Sequence, residues 1–230
     1  MKETTDTATI RTAATDRKGW PHYVVIEGPI GVGKTSLARR LAMTFNYDTL
    51  LEQPEHNPFL ERFYQNPRQY ALQTQLFFLF QRIEQVRSLQ QNDLFMPVQV
   101  SDFLLDKDRL FAELTLDQDE FTLYDRVYRH LSISTPLPDL VIYLQAPTDV
   151  LLRRIEKRNI PHEQQISADY LNRLNEAYAR FFHFYDQAPL LIVNASDIDP
   201  LHNDADYQQL LDRALDIRSG RHYFNPRPLA

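Results

Sequence analysis

Cysteine is absent from the sequence, which excludes disulfide bonds, zinc sites built on thiolates and thiol-based catalysis. No apolar run approaches the roughly 18–20 residues that a membrane span needs, so we expect a soluble protein. The formal net charge of -6 supplies no general attraction to nucleic acids or anionic membranes, and we expect neither as a partner. Glycine is scarce, with five residues in 230, so a cluster of glycines in this chain needs a specific explanation.

Residues 1–20 contain no apolar segment of signal-peptide length, and Glu3, Asp6 and Asp16 argue against a transit peptide. We expect these residues to form a disordered tail ahead of one domain over residues 21–230. An apolar fraction of 43% suffices for a sizeable core. A cysteine-free chain without an export signal suits the cytoplasm.

Short β-branched runs alternate with segments of helical periodicity along the chain. The runs predict five strands, near residues 23–28, 47–54, 96–102, 138–147 and 189–195. Helices are expected at 34–45, at 58–91 with a junction at Pro67, and at 108–116, 119–132, 148–158, 167–186 and 204–218. This alternation favours an α/β fold in which a parallel five-stranded sheet is flanked by helices.

Three of the five glycines cluster in the segment IEGPIGVGKTS, residues 26–36. The segment matches the phosphate-binding pattern GxxxxGK[ST], between a predicted strand and a predicted helix. Its glycines let successive backbone N–H groups point at one anion, and the helix N-terminus adds its positive end. A simple turn is the alternative, which the flanking elements disfavour. We therefore expect a nucleoside triphosphate such as ATP to bind at Gly28, Ile30, Gly31, Val32, Gly33, Lys34, Thr35 and Ser36.

Four side chains are candidates for chemistry near this loop. Lys34 is expected to reach the β- and γ-phosphates, and Thr35 to offer its hydroxyl to Mg²⁺. Glu52 ends the second predicted strand, where a carboxylate could accept the proton of an attacking hydroxyl. Asp102 ends another strand in the manner of a magnesium-binding aspartate. The alternatives are a solvated surface glutamate and, for Asp102, a helix N-cap.

Arg154 and Arg158 lie one helical turn apart, ahead of the irregular segment NIPHEQQI. Two arginines projected from a segment that folds over a phosphate would neutralise charge during phosphoryl transfer. Ordinary solvated arginines are the alternative.

From Tyr23 to about Asn194 the sequence resembles the deoxyribonucleoside kinases, and among them a bacterial branch of deoxyadenosine and deoxyguanosine kinases. The segments IEGPIGVGKT, LLEQPEHNPFLERFYQNP, QTQLFFLFQR and RIEKRNIPHEQ carry the resemblance. It implies a P-loop kinase fold with a LID segment. It also implies transfer of the γ-phosphoryl group of ATP, with Mg²⁺, to the 5'-hydroxyl of a deoxyribonucleoside in nucleoside salvage. Purine preference and a helix-paired homodimer follow from the same resemblance.

The resemblance implies roles for single residues outside the phosphate loop. Glu52 corresponds to the catalytic glutamate and Tyr64 to a tyrosine that contacts the sugar. Gln75 would fork onto the nucleobase, and Arg82, seven residues later, would help to seat it. Asp102 would serve both substrate and Mg²⁺.

In the LID, the resemblance gives Arg154 and Arg158 the phosphate contacts and Glu163 the sugar 3'-hydroxyl. The implied catalytic residues are therefore Glu52, Lys34, Arg154 and Arg158. The implied substrate-binding residues are Glu52, Tyr64, Gln75, Arg82, Asp102 and Glu163.

The chain lacks two arginines that are common in the family. The segment SDFLLDK leaves Asp102 without the arginine that follows the corresponding carboxylate in many members, and Ile160 stands where a third LID arginine is common. A lost contact of this kind removes several kcal/mol of transition-state stabilisation, so we expect Arg82 or a LID arginine to compensate, or a slow enzyme. The aspartate that helps choose the base has no clear equivalent; Asp106 is the nearest candidate and Lys107 the competitor.

Two other functions are compatible with a phosphate loop. A nucleotide kinase such as thymidylate kinase would need a basic pocket for the phosphate of its acceptor, and LLEQPEHNPF is acidic there. A non-catalytic regulatory NTPase would not require Tyr64 and Gln75 at a fixed interval.

Overall fold

The computed structural model describes residues 20–91, 99–131 and 135–226. The expected tail therefore lies outside the described residues except for its last position, Trp20, whose ring packs on Phe45 with centroids 4.8 Å apart. Within the described ranges, no helix combines enough length and hydropathy to cross a membrane.

The sheet is parallel and has six strands in the order β2-β3-β1-β4-β5-β6. The strands are β1 (Tyr23–Glu27), β2 (Asp48–Leu50), β3 (Gln99–Ser101), β4 (Leu140–Gln145), β5 (Leu190–Asn194) and β6 (Arg221–Phe224). The parallel α/β architecture is confirmed, but the expected number of five strands is wrong. The sixth strand, RHYF, is a short edge strand in which exposed and half-buried residues alternate, so it has no continuous apolar run.

Eight α-helices surround the sheet in the described residues. They are α1 (Lys34–Phe45), α2 (Leu60–Gln65), α3 (Pro67–Gln91), α4 (Lys107–Thr115), α5 (Gln118–Leu131), α6 (Thr148–Arg158), α7 (Ala168–Phe184) and α8 (Asp204–Leu215). Short 3₁₀ helices cover Pro54–His56 and Pro161–Gln165. The expected junction at Pro67 is confirmed: proline is tolerated in the first turn of a helix, and Pro67 opens α3 directly after α2 and Asn66.

The core lies around the four inner strands, β3, β1, β4 and β5. In β4 the side chains from Leu140 to Leu144 are all buried, as expected for a parallel strand covered on both faces. Helix α1 packs on β1 and β3, and Tyr178 of α7 stacks on Tyr143 of β4. Because all the strands are parallel, the segments that follow β1, β2 and β3 meet at one edge of the sheet.

Candidate active site

The segment between β1 and α1 is a tight loop that only glycine permits at two positions. Gly28 and Gly31 have φ angles of 147° and 83°, in the region that favours glycine. A Cβ on Gly28 would lie 2.5 Å from the carbonyl oxygen of Leu144, and one on Gly31 would lie 2.8 Å from Ile155 Cγ1. The glycine cluster therefore serves both the turn and the close approach of β4 and α6. The loop ends at the N-terminus of α1, which begins at Lys34.

Lys34, the first residue of α1, is half-buried, and its side chain reaches back over the loop. Its Nζ donates to the carbonyl oxygens of Gly28, at 2.8 Å, and Pro29, at 3.2 Å. Burial, reinforced by the charge of Lys107, lowers the pKa of Lys34 to about 8 although neighbouring carboxylates oppose the shift. An anion in the loop would offer this lysine a stronger partner than two neutral carbonyls.

Asp102 and Thr35 bring oxygen atoms together beside the loop. Thr35 Oγ1 donates to Asp102 Oδ2 at 2.5 Å, and Asp102 Oδ1 accepts the backbone N–H of Glu52 at 2.7 Å. The helix-cap alternative for Asp102 is wrong, because α4 begins at Lys107 and its N-cap position is Asp106. A hydroxyl and a carboxylate are suitable ligands for Mg²⁺, which usually keeps few protein ligands and completes its shell with water and phosphate oxygens. The residues present fit that ion.

Glu52 is half-buried and pairs with two cations, so the alternative of a solvated surface glutamate is wrong. Its Oε1 pairs with Arg82 from α3, and its Oε2 lies 3.2 Å from Lys107 Nζ at the start of α4. Burial alone would raise the pKa of Glu52, but the charges of Arg82, Lys107 and Lys34 outweigh it and lower that pKa to about 2. Glu52 is therefore ionised at neutral pH.

Two residues of α4 take part in this network that the sequence did not assign to it. Asp108 is fully buried and pairs with the second terminal nitrogen of Arg82. Lys107, considered only as a competitor for base choice, is 2% exposed and reaches Glu52. Asp106 lies at the N-cap position of α4 and lines a separate groove rather than the cavity that contains Gln75. The sequence has one local signal for this network, the charged run DKD at the start of a helix.

A small, partly open cavity of about 120 Å³ lies beside Glu52. Gln75 lines it from α3 and is 3% exposed, and Tyr64 lines it from α2. The ring of Tyr64 stacks on His162, with an interplanar angle of 9° and centroids 6.1 Å apart. Apolar and aromatic side chains complete the wall: Leu60, Phe63, Phe78 and Phe111. A flat ring with polar edges is the kind of ligand that such walls and one amide can hold.

Of the two LID candidates on α6, Arg154 contacts the phosphate loop and Arg158 contacts Glu163. Arg154 donates to the carbonyl oxygens of Val32, at 3.3 Å, and Ala195, at 2.7 Å. Arg158 pairs with Glu163, which is 8% exposed and lines the small cavity. Arg154 thus contacts the phosphate loop, and Arg158 contacts a residue that lines the small cavity, so neither is an ordinary solvated arginine.

A second, larger cleft of about 620 Å³ lies on the other side of the loop. It is bounded by the loop, by α6 and by residues 195–202, the segment that follows β5. Arg154 lines this cleft, and Arg158 lines both cavities. The sequence did not indicate residues 195–202 as part of the site, since they carry no motif.

A phosphate loop after the first strand, carboxylates after the next two and arginines over the loop define a P-loop phosphotransferase. A family model described as deoxynucleoside kinase matches residues 24–217. The chain therefore belongs to the deoxynucleoside kinase family, as its sequence resemblance implied, and it is a kinase.

Known proteins of the same kind resemble most of the chain. The deoxyguanosine kinase of Bacillus subtilis strain 168 is 34% identical over 194 residues, which cover 82% of this chain and 93% of that protein. The deoxyadenosine kinase of Dictyostelium discoideum is 32% identical over 187 residues, covering 77% and 74% respectively. A solved deoxyadenosine kinase from M. mycoides, with dCMP and a flexible dCDP bound, has a TM-score of 0.71 and 25% identity. That likeness covers 83% of this chain and 97% of the other.

Proposed function

We propose that this kinase transfers the γ-phosphoryl group of ATP to the 5'-hydroxyl of a deoxyribonucleoside, with purine nucleosides preferred. The observation that carries the proposal is the small cavity that leads to Glu52 and contains Gln75. The cavity also reaches Gly31 and Lys34 of the phosphate loop, so an acceptor held there would face the transferred group.

The chemistry assigned to Glu52 follows from its charge. An ionised carboxylate accepts a hydrogen bond from the 5'-hydroxyl. This hydrogen bond orients a lone pair of the hydroxyl oxygen toward the γ-phosphorus. With its pKa lowered to about 2, Glu52 is a weak base, so we expect the proton to move late. The new O–P bond forms as the bond between the γ-phosphorus and the β,γ-bridging oxygen breaks, ADP leaves, and Glu52 receives the proton.

Cations near the loop neutralise the charge that the transferred group carries. Lys34 would exchange its two carbonyl partners for phosphate oxygens, and Arg154 and Arg158 would approach from α6. We propose that Thr35 and Asp102 hold Mg²⁺, which supplies electrostatic stabilisation of the phosphate oxygens when bound. Glu163 and Tyr64, which line the small cavity, would contact the sugar.

The acceptor cavity favours a nucleoside over a nucleotide. An acceptor that already carries a phosphate needs cations free to meet that charge. The buried cations here, Arg82 and Lys107, already face the carboxylates of Glu52 and Asp108. A regulatory NTPase does not require a second cavity next to the phosphate loop that is lined by Glu52, Gln75 and Arg82.

Purine preference is supported by the relatives rather than by a single contact. Curated relatives carry the names deoxyguanosine kinase and deoxyadenosine kinase, and one from Bacillus subtilis, 25% identical, is a deoxyadenosine/deoxycytidine kinase. Gln75 can present its amide in either orientation to adenine or guanine, so it fixes the plane of the base without choosing one.

A panel of the four common deoxyribonucleosides, each with ATP and Mg²⁺, tests base preference. We expect kcat/KM to be highest for deoxyguanosine or deoxyadenosine and lowest for thymidine. A highest value for thymidine or deoxycytidine would contradict the purine assignment while leaving the kinase assignment intact.

We also infer that the protein acts in the cytoplasm, in nucleoside salvage, and as a homodimer. Helices α3 and α5 pack on one another and present Phe80, 46% exposed, and Leu123, 49% exposed. Two apolar side chains exposed on adjacent helices suit a helix-paired interface. Sedimentation equilibrium should report a dimer that Phe80→Asp shifts toward monomer; a monomeric wild-type protein would contradict the inference.

A further inference from the structure

The ammonium group of Lys107 lies between the carboxylates of Glu52 and Glu27. Its Nζ is 3.2 Å from Glu52 Oε2 and 3.8 Å from Glu27 Oε1, and the residue is 2% exposed. A buried ammonium group needs close partners, because removal from water strongly disfavours an unpaired charge. These two carboxylates therefore stabilise the buried charge of Lys107 and hold its side chain in position.

Glu27 does not need the lysine as a hydrogen-bond donor. Its carboxylate already accepts the backbone N–H groups of Leu104, at 2.7 Å, and Gly28, at 3.0 Å, and the hydroxyl of Tyr178, at 3.0 Å. At 3.8 Å, Lys107 adds only charge to that set. Its hydrogen bond goes to Glu52, the carboxylate that faces the acceptor cavity.

Each oxygen of Glu52 is held by a different helix. Oε1 pairs with Arg82 of α3, and Arg82 divides its two terminal nitrogens between Glu52 and the fully buried Asp108. Oε2 pairs with Lys107 of α4. Lys34 of the loop adds a third positive charge near Glu52, and Asp102 accepts the backbone N–H of Glu52. Arg158 and Glu163 line the same cavity and pair with each other.

We propose that Lys107 is the positioning residue for Glu52 and that it takes the place of the arginine absent after Asp102. The proposal rests on the function proposed above. Lys107 fixes the direction of Oε2, and Glu52 in turn orients the 5'-hydroxyl. Many family members have a positive charge directly after the carboxylate that corresponds to Asp102. In this chain Lys107, five residues after Asp102 and in the first turn of α4, supplies it.

A double-mutant cycle tests whether Lys107 acts through Glu52. Lys107→Met removes the charge and keeps much of the side-chain volume. We expect kcat to fall by about 10- to 100-fold, the size of effect that follows misplacement of a reacting group, with the deoxynucleoside KM changed less than about threefold. In a Glu52→Gln background the same substitution should change kcat less than about twofold, because its partner is already gone.

Two further variants separate positioning from general damage. Lys107→Arg keeps the charge and should recover most of kcat. Arg109→Met removes a charge from the same helix, where Arg109 pairs with Glu113 and Asp125 away from the cavity, and should leave kcat unchanged. If Lys107→Met does not fold, by circular dichroism and thermal unfolding, Lys107→Gln replaces it in the cycle.

The outcomes distinguish this proposal from the proposed function. A wild-type protein without deoxynucleoside-dependent transfer overturns the function and, with it, this role. An active wild type overturns the role of Lys107 alone in either of two cases. In the first, Lys107→Met lowers kcat by the same factor in the wild-type and in the Glu52→Gln background; in the second, it changes KM alone.

Discussion

The two cavities on either side of the phosphate loop are lined by different parts of the chain. The larger cleft, of about 620 Å³, is bounded by the glycine loop, by α6 and by residues 195–202, and backbone carbonyls of Val32 and Ala195 hold Arg154 there. The smaller cavity, of about 120 Å³, is formed by side chains from distant parts of the chain, with Glu52 between two buried cations. A backbone cradle recognises the shape and charge of a phosphate chain, whereas side chains recognise one kind of acceptor.

This difference separates the expected effects of substitution. Changes at the loop should alter the use of ATP, and changes around Glu52 and Gln75 should alter the use of the nucleoside. A variant that changes the use of ATP and the use of the nucleoside equally would contradict this separation.

The largest effect is expected at the loop lysine. Lys34→Ala removes the cation nearest the expected phosphates and should lower kcat/KM by at least about a thousandfold. The fold should persist, because Lys34 contacts two loop carbonyls and no core side chain through its amine. Activity and far-UV circular dichroism would be measured beside Arg39→Ala, an exposed charge on the same helix. Loss of folding together with activity would contradict this separation.

The next effect belongs to the acceptor side. Glu52→Gln keeps the size of the side chain but removes its charge, so kcat should fall by about 10²–10⁴. Affinity for the deoxynucleoside, measured by calorimetry, should stay within a few-fold of wild type. Glu55→Gln, at an exposed position nearby, is the matched control. A near-normal kcat for Glu52→Gln would remove this residue from the mechanism.

A smaller effect is expected at the amide in the cavity. Gln75→Leu leaves the edge of a bound base unpaired and should raise the nucleoside KM by about 1–3 kcal/mol equivalent, with the KM for ATP little changed. Gln73→Leu, two residues earlier and exposed on the same helix, should change neither constant. Unchanged nucleoside KM values for Gln75→Leu would show that the base does not contact this amide.

The smallest effect is expected at Asp102. Asp102→Asn keeps the acceptor for the Glu52 backbone N–H but loses charge beside Thr35. An amide oxygen binds Mg²⁺ more weakly than a carboxylate, so the Mg²⁺ concentration for half-maximal rate should rise by about tenfold or less. Asp149→Asn, an exposed aspartate of α6, serves as control. The same Mg²⁺ dependence in both variants would argue that Asp102 only organises the backbone.

The sequence predicted the donor side better than the acceptor side, and the reason is physical. A glycine loop is a local structure, so its spacing alone indicated residues 28–36. The ends of β2 and β3 could be located because apolar runs stop there, which indicated Glu52 and Asp102. Partners of a buried charge depend on which helices meet, and nothing local shows that Arg82 pairs with Asp108 or that Lys107 reaches Glu52.

The edge of the sheet and the far wall of the larger cleft were missed for a similar reason. Strand β6 is short and alternates half-buried with exposed residues, so it lacks the apolar run that identified the other strands. Residues 195–202 line the cleft because they follow β5 at the carboxyl edge of the sheet. Only the strand order, which the sequence did not provide, places that segment beside the phosphate loop.

The central claim is that the small cavity holds a nucleoside whose 5'-hydroxyl receives the phosphoryl group. Its most direct test is incubation of the wild-type protein with γ-labelled ATP, Mg²⁺ and either deoxyguanosine or dGMP, followed by separation of the labelled products. We predict that label appears in a deoxynucleoside 5'-monophosphate and that dGMP is not a better acceptor. Label released as inorganic phosphate whether or not an acceptor is present, or faster transfer to dGMP, would contradict the claim.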